Sequence, residues 1–376
     1  MPVPATFTPA EKRVMRQLLR KANTGSDPWP NPFTAAAVLG HDGNILGLGR
    51  HEKAGTPHAE VLALREAGSA ARGATLMVTL EPCTHWGLTP PCVDAIVAAG
   101  IREVIYAVSD PNPKVQASGA TAYLQSQGIA VRTGLCEYEA LINNAPFMKR
   151  MGAGTPFVTL KVATSLDGKI ALANGDSKYI TGTKSRTHVH RLRAQHDVII
   201  TGIGTVLADD PMLTVRDTPV SQQPNILILD THGKTPHHAR LFEGRTPSQV
   251  FIVIGPEADD AALADKATII RLPNGPRSWP QLLQLCHTQR WHRVLIEAGE
   301  AVITSALDAE IVDKVVWLIA PLLLGGKQSF LAYGGKGVPS LAMSRPLITP
   351  KVRHMHPDIL IEGFLKHPTT WIKEPT

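Results

Sequence analysis

Cysteine is scarce in this chain, with four residues in 376. Two of them, Cys136 and Cys286, stand alone in apolar surroundings, which argues against a disulfide-stapled scaffold. Long apolar runs are missing as well, and none approaches the roughly 20 residues that cross a bilayer. The opening, Met1 to Thr8, lacks the basic-then-apolar order of a secretory signal, so no membrane role is expected and the cytoplasm is the expected compartment. No internal repeat or low-complexity tract stands out. Aromatic residues make up only 5% of the chain and do not interleave with basic ones as in base-stacking surfaces. The net charge of +6 and a pI near 9.1 could suit a nucleic-acid binder. Yet the densest basic segment, Lys12, Arg13, Arg16, Arg20 and Lys21, alternates with Val14, Met15, Leu18 and Leu19 as an amphipathic helix with a solvated face. No nucleic-acid partner is expected, and a mild positive charge suits a phosphorylated small molecule equally well.

What is present is ordinary globular composition, 43% hydrophobic and 19% charged, over more residues than one core usually serves. Two α/β domains, 1–150 and 151–376, are expected. Strand signals open the first at Ala35 to Leu39 and Ile45 to Gly49, joined by the turn-like His41-Asp42-Gly43-Asn44, with later strands at Thr75 to Leu80 and Val104 to Val108. Met148 to Pro156, with two glycines and a proline, reads as a connector. Strand signals then recur at Phe157 to Ala163, Val198 to Thr201, Asn225 to Leu229, Val250 to Ile254, Thr268 to Leu272, Arg293 to Ile296 and Lys314 to Ala320, with helix-like stretches between.

The chemistry concentrates in His58-Ala59-Glu60, Glu81-Pro82-Cys83 and Thr89-Pro90-Pro91-Cys92. One imidazole and two thiolates are the protein ligands of a catalytic zinc that keeps a fourth position open for water. A glutamate two residues after the histidine then serves as proton shuttle rather than ligand, the pattern of hydrolytic deaminases. Pro57 and Gly68 bracket the helix-like Val61 to Ala67, and Pro90-Pro91 leads into a second helix, so both ligand-bearing segments sit at helix starts whose amides favour thiolates. The competing reading is a structural zinc knot or two buried thiols. A closed knot wants a fourth ligand near Cys92, for which only His85 is at hand.

These strings, with Thr79-Leu80-Glu81-Pro82-Cys83-Thr84-His85 and Asp110-Pro111-Asn112-Pro113, resemble the deaminase half of the bifunctional pyrimidine deaminase/reductase of riboflavin biosynthesis. The eight-residue gap between the cysteines separates the chain from deaminases carrying Cys-x-x-Cys. Leu160 to Ala171, Gly175-Asp176-Ser177, Leu192-Arg193-Ala194, Gly204 to Pro211, Leu213 to Arg216, Glu297-Ala298-Gly299 and Ala320 to Gly326 resemble, in order, the reductase half. The two resemblances cover roughly residues 10 to 366. They imply a cytidine-deaminase-like three-layer domain followed by a dihydrofolate-reductase-like domain, one zinc per chain, NADPH, and a phosphorylated pyrimidine substrate. The implied zinc ligands are His58, Cys83 and Cys92, with Glu60 catalytic. The implied NADPH positions are Ala163, Tyr179, Thr205, Asp209, Thr231 and Gly299. Substrate contacts are implied at Asn31, His51 and Asn112 in the first half and at Lys161, Ser177, Arg193, Leu213, Arg216 and Glu297 in the second. A homo-oligomer is the expected assembly.

Taken on spacing alone, Gly202-x-Gly204-Thr205 after a strand is either a phosphate-approaching turn or a plain tight turn, since the third glycine of a dinucleotide fingerprint is replaced by Leu207. Arg193 and Arg216 suit a phosphate through paired, charge-assisted bonds, or are ordinary surface arginines. Glu297 also reads as a carboxylate ending a buried strand, and Lys234 could favour a cofactor 2′-phosphate. His188-x-His190 diverge on a helix, His237-His238 fall in a polar loop, and His354-x-His356 lack a third ligand, so none of these pairs is expected to hold metal. Two departures from the family stand out. Leu88 occupies the place of a basic residue said to face substrate, and Phe33-Thr34-Ala35 replaces its usual loop, so weakened deamination is expected. A reductase-only chain with a structural zinc domain, or a deaminase of nucleic acid, remain as alternatives.

Overall fold

The computed structural model describes residues 6–117, 119–259 and 262–372, so the first five residues of the opening segment, on which the reading of no secretory signal partly falls, lie outside the described residues. Contacts divide the chain into one unit that runs to Gly154 and takes back the segment from Pro368, and a second from Thr155 to His367. The first contains α1 (Pro9–Ala22), β1 (Ala35–Leu39), β2 (Ile45–Arg50), α2 (Ala59–Ala67), β3 (Thr75–Val78), α3 (Cys92–Ala98), β4 (Glu103–Tyr106), α4 (Pro113–Gln116), α5 (Ala120–Ser126), β5 (Ala130–Thr133), α6 (Glu137–Asn143) and α7 (Ala145–Ala153). Its sheet runs β2-β1-β3-β4-β5, antiparallel through the first two pairings and parallel through the last two.

Strand β1, Ala-Ala-Ala-Val-Leu, is buried along its whole length because both of its faces are covered. Ala36, Val38, Leu76, Val78 and Val104 form one core with residues of α2, α3 and α5. The alternate residues Ala35, Ala37, Met77 and Ile105 are buried too, as are Met15 and Leu18 of α1, which packs on β1. That is the period-two pattern of a sheet between helical layers, as expected. Thr8 and Glu11 close a reciprocal cap on α1, whose basic face carries the exposed Arg16–Glu139 pair at 3.1 Å.

Helix α2 lies unusually close to β2. A Cβ at Gly49 would stand 1.9 Å from the Ala59 carbonyl oxygen, and one at Gly47 would stand 2.2 Å from that of Ala63. Ala59, Ala63 and Ala67 recur every four residues, so a stripe of small side chains rests on the two glycines. This seating fixes the start of α2.

Residues read as a connector instead belong to α7, which buries Phe147 and Met148 and stops at Gly154, φ 68°. Gly152 lies against Trp371, whose carbonyl oxygen would be 2.2 Å from an added Cβ, and Trp371 is 1% exposed. The expected split at 150 and 151 therefore moves to Gly154, and the end of the chain returns to the first unit. The glycines and the proline of that stretch suggested a connector and hid the helix that ends at Gly154.

The second unit contains β6 (Phe157–Ser165), β7 (Lys169–Ala171), α8 (Thr183–Ala194), β8 (Val198–Gly202), α9 (Ile203–Asp209), β9 (Asn225–Leu229), β10 (Val250–Ile254), β11 (Thr268–Arg271), α10 (Trp279–Thr288), β12 (Arg293–Ile296), α11 (Glu300–Asp308), β13 (Lys314–Ala320), β14 (Phe330–Leu331), β15 (Ile348–His354) and β16 (Ile359–Phe364). Nine strands form one sheet in the order β11-β10-β9-β8-β12-β6-β13-β16-β15, parallel from β11 to β13 and antiparallel beyond. Its central strands are near-continuous apolar runs because each face carries its own core, one with α10 and α11, the other with α8 and α9. Parallel pairing brings the carboxyl ends of β6, β8, β9 and β12 to one edge, where ligands of open α/β sheets bind.

Replacing Gly49 by alanine is expected to cost at least about 1–3 kcal/mol through overpacking and to lower metal retention with it. Gly87→Ala, whose Cβ meets nothing within 4 Å, is the control. Thermal melts with elemental analysis decide it, and an unchanged melt for Gly49→Ala contradicts the close seating of α2.

Candidate active sites

His58 is the N-cap of α2, and Cys92 is the first residue of α3 behind Pro91. The loop after β3 brings Cys83 between them, pinned by Val93 N–H to the Cys83 carbonyl at 3.3 Å and Cys92 N–H to Cys83 Sγ at 3.3 Å. His58 Nδ1 lies 3.1 Å from Cys92 Sγ and 3.5 Å from Cys83 Sγ. Donors around a tetrahedral zinc with bonds of ~2.0–2.3 Å stand roughly 3.5 Å apart, so the three fit the ion. Among the described residues the group of convergent His, Cys, Asp and Glu donors is these three, and His85 is not part of it. The other ring nitrogen, Nε2, is 3.2 Å from Thr89 Oγ1, which holds the ring orientation.

The hydrogen bond from Cys92 holds the Cys83 thiol down to about 4, against burial and with help from His58. The same bond, together with burial, pushes Cys92 up. His58 is raised by its bond to Cys83 despite burial. Glu60, in the first turn of α2, is 4% exposed, and burial, followed by the Cys83 charge, raises its pKa.

His58, Glu60 and Cys83 line a cleft of ≈ 190 Å³ that also takes in Asn31, His51, Glu81, Leu88, Asp110, Asn112 and Arg150. His51 Nδ1 donates to the Pro57 carbonyl at 3.2 Å, so Nε2 accepts from Asn31 Nδ2 at 2.9 Å. Burial lowers the His51 pKa and keeps the ring neutral. Asn112 caps α4 by accepting from Lys114 N–H at 3.1 Å, and its own N–H donates to Asp110 Oδ1 at 2.8 Å. Asp110 is pushed up to about 7 by burial, with Glu81 and Cys83 adding to it.

Several of these partners are not visible in the sequence. Asn144 grips the replaced loop with two bonds, from Phe33 N–H at 2.8 Å and to the Phe33 carbonyl at 2.9 Å, across 111 positions. Glu81 and Asp110 do leave a trace, as charged residues next to apolar strand runs.

In the second unit Glu297, just past β12, is clamped by Arg193 through Nε at 2.7 Å and Nη2 at 3.0 Å, with Lys161 Nζ at 3.6 Å. Burial alone would raise Glu297, but the two cations hold it at about 2. Arg193 also donates to the Thr214 carbonyl at 3.1 Å, so its fork is occupied within the protein. Arg216, by contrast, is exposed and donates to Thr214 Oγ1 at 2.9 Å. Leu213 takes φ 50° and is held by Arg245 through its carbonyl at 2.9 Å. Ser177 Oγ donates to Asp209 Oδ1 at 2.6 Å.

Thr205 in α9 and Gly299 at the start of α11 adjoin, since a Cβ on Gly299 would be 3.7 Å from Thr205 Oγ1. Thr231 follows β9 on the same sheet edge, and Ala163 lies within β6. Tyr179 stands 74% exposed beneath the Arg186 guanidinium. His188 and His190 do diverge on α8, with His190 on the Thr214 carbonyl. His354 and His356 stack at 5.9 Å.

Residues 156–361 match the family described as the RibD C-terminal domain, and residues 9–108 match the cytidine and deoxycytidylate deaminase zinc-binding region. Riboflavin biosynthesis protein RibD of Aquifex aeolicus is 40% identical over 334 residues, 88% of this chain and 92% of its own. The RibD of Escherichia coli K12 is 38% identical over 347 residues, 88% and 93% respectively. The solved Acinetobacter baumannii RibD, form 1, superposes with a TM-score of 0.80 at 36% identity over 94% of this chain and 98% of its own. A Thermotoga maritima structure, named as a diaminohydroxyphosphoribosylaminopyrimidine deaminase/5-amino-6-(5-phosphoribosylamino)uracil reductase, does so at 0.79 and 31% identity with the same coverage. Matched in order through both halves, the chain belongs to the RibD family of bifunctional deaminase/reductases of riboflavin biosynthesis.

Proposed function

We propose that this chain hydrolytically deaminates the diaminohydroxyphosphoribosylaminopyrimidine named for its Thermotoga maritima relative and then reduces the ribosyl group of the product to ribityl. The observation that supports the first step is a three-donor metal group with a buried carboxylate beside it. His58, Cys83 and Cys92 would hold zinc, which when bound lowers the pKa of water toward about 7 and so supplies a nucleophile at neutral pH. Glu60 takes one proton of the attacking water to the ring nitrogen and then the second, from the hydroxyl so formed on the ring carbon, to the amine, which leaves as ammonia, a task suited to a raised pKa. Neutral His51, held by Asn31 and Pro57, offers the pyrimidine a fixed hydrogen-bonding edge, and Asn112 lies on the same wall.

In the second unit Ala163, Tyr179, Thr205, Asp209, Thr231 and Gly299 would hold NADPH, which when bound supplies the hydride. Lys161, Arg193 and Glu297 form the ionised floor of the substrate pocket, with Ser177 and Leu213 beside it. Arg216, the exposed arginine of the expected pair, meets the substrate phosphate. The reading includes a cytoplasmic homo-oligomer without nucleic acid. No described helix is long and apolar enough to cross a membrane, and β15 offers a free sheet edge to a second copy.

Purified protein is expected to carry about one zinc per chain by elemental analysis. A Cys83→Ala, Cys92→Ala double variant should lose it, and full occupancy there refutes the ligand set. Glu60→Gln should keep the metal while deamination falls by roughly 10² to 10⁴-fold. NADPH should bind more tightly than NADH, with Lys234 near the cofactor's extra phosphate. Arg216→Ala should raise the KM for the reductase substrate on the order of tenfold, the scale of one charged hydrogen bond, without moving NADPH affinity. An unchanged KM removes Arg216 from the phosphate.

A further inference from the structure

The deaminase cleft is rich in acidic groups. Glu60, Glu81 and Asp110 line it together with the Cys83 thiol, and among its lining residues Arg150 is the single lysine or arginine. Its guanidinium is held in place. It lies over the Trp29 ring at 5.0 Å and near that of Phe147 at 5.6 Å, and Nη2 donates to the Pro30 carbonyl at 2.9 Å. Trp29 and Pro30 lead directly into Asn31, the residue that fixes His51. One short segment therefore sets the pyrimidine-facing histidine and the cation in the same wall. The charge also reaches the cleft interior, because it opposes the upward shift of Asp110. Stacking on two aromatic rings pre-organises a planar fork, so less rotamer freedom is lost when it pairs with an anion.

Leu88 lines this cleft as well and is 83% exposed, contributing no charge at its mouth. A phosphate entering beside these acidic side chains finds no favourable charge unless a cation faces it. We propose that Arg150 receives the phosphate-bearing end of the deaminase substrate and thereby sets the preference for a phosphorylated over an unphosphorylated aminopyrimidine riboside. This rests on the deaminase reading above. Helix α7, taken from sequence for a connector, then supplies the specificity that position 88 does not.

The test is ammonia release by the full chain from the phosphorylated aminopyrimidine and from the same riboside without phosphate, with NADPH-dependent reduction assayed on each sample as the check on folding. In Arg150→Gln the ratio of kcat/KM between the two substrates is expected to fall on the order of tenfold, carried by KM. Arg150→Lys should keep part of the ratio, and Leu88→Arg in the Arg150→Gln background should restore part of it. A ratio that changes less than threefold, or an equal loss on both substrates, overturns the proposal and makes Arg150 a wall residue. Wild-type protein that releases no ammonia from either substrate contradicts the deaminase reading itself, which keeps the two failures apart.

Discussion

The seating of helix α2 on the glycines of β2 is the constraint on which the convergence of His58, Cys83 and Cys92 depends. Gly47 and Gly49 leave no room for a Cβ beneath the carbonyls of Ala63 and Ala59. The close contact holds the helix against β2 at its start, where His58 is the N-cap and Glu60 lies in the first turn. A histidine held this way, with Thr89 on its far nitrogen, needs little movement to meet two thiols brought by α3 and the preceding loop. Small residues in the sheet layer thus help to position the donor group.

The second unit solves a different problem, that of holding three charges in a buried floor. Separating Glu297, Arg193 and Lys161 from water costs several kcal/mol for each ion, and only close, multiply bonded geometry offsets it. The two-pronged Arg193 contact provides that geometry, and burial meanwhile lowers the Lys161 pKa. Parallel strands explain why these groups meet, since Lys161 on β6 and Glu297 beyond β12 come from adjacent strands in register. The same edge carries Thr205, Gly299 and Thr231, so the positions proposed for cofactor and substrate share one scaffold.

Legibility in the sequence follows the range of the interactions. His58, Glu60, Cys83 and Cys92 belong to short strings whose residue types and spacing already state a coordination chemistry, and His58, Cys83 and Cys92 converge as that spacing implied. Buried strands such as Asn225–Leu229 and Val250–Ile254 were readable to the residue because full burial makes them uninterrupted apolar runs. Strand β15 was not, since nearly every residue in it is exposed and it contains Pro350, Lys351 and Arg353, the marks of a protected sheet edge. Partnerships across long separations left no local trace. Asn144 with Phe33, Trp371 with Gly152 and Arg150 with Trp29 had to come from the fold. Arg193 shows the converse, a residue type suited to phosphate that the fold commits to a carboxylate.

Whether the two chemistries run in series on one chain is tested most directly by following ammonia release and NADPH oxidation together, starting from the diaminopyrimidine. Wild-type protein should release ammonia first and consume NADPH only afterwards, and Glu60→Gln should stop both while still reducing the already deaminated substrate. NADPH consumption from the diaminopyrimidine without ammonia release, or undiminished ammonia release by Glu60→Gln, would contradict the assignment of deamination to the zinc-ligand cleft.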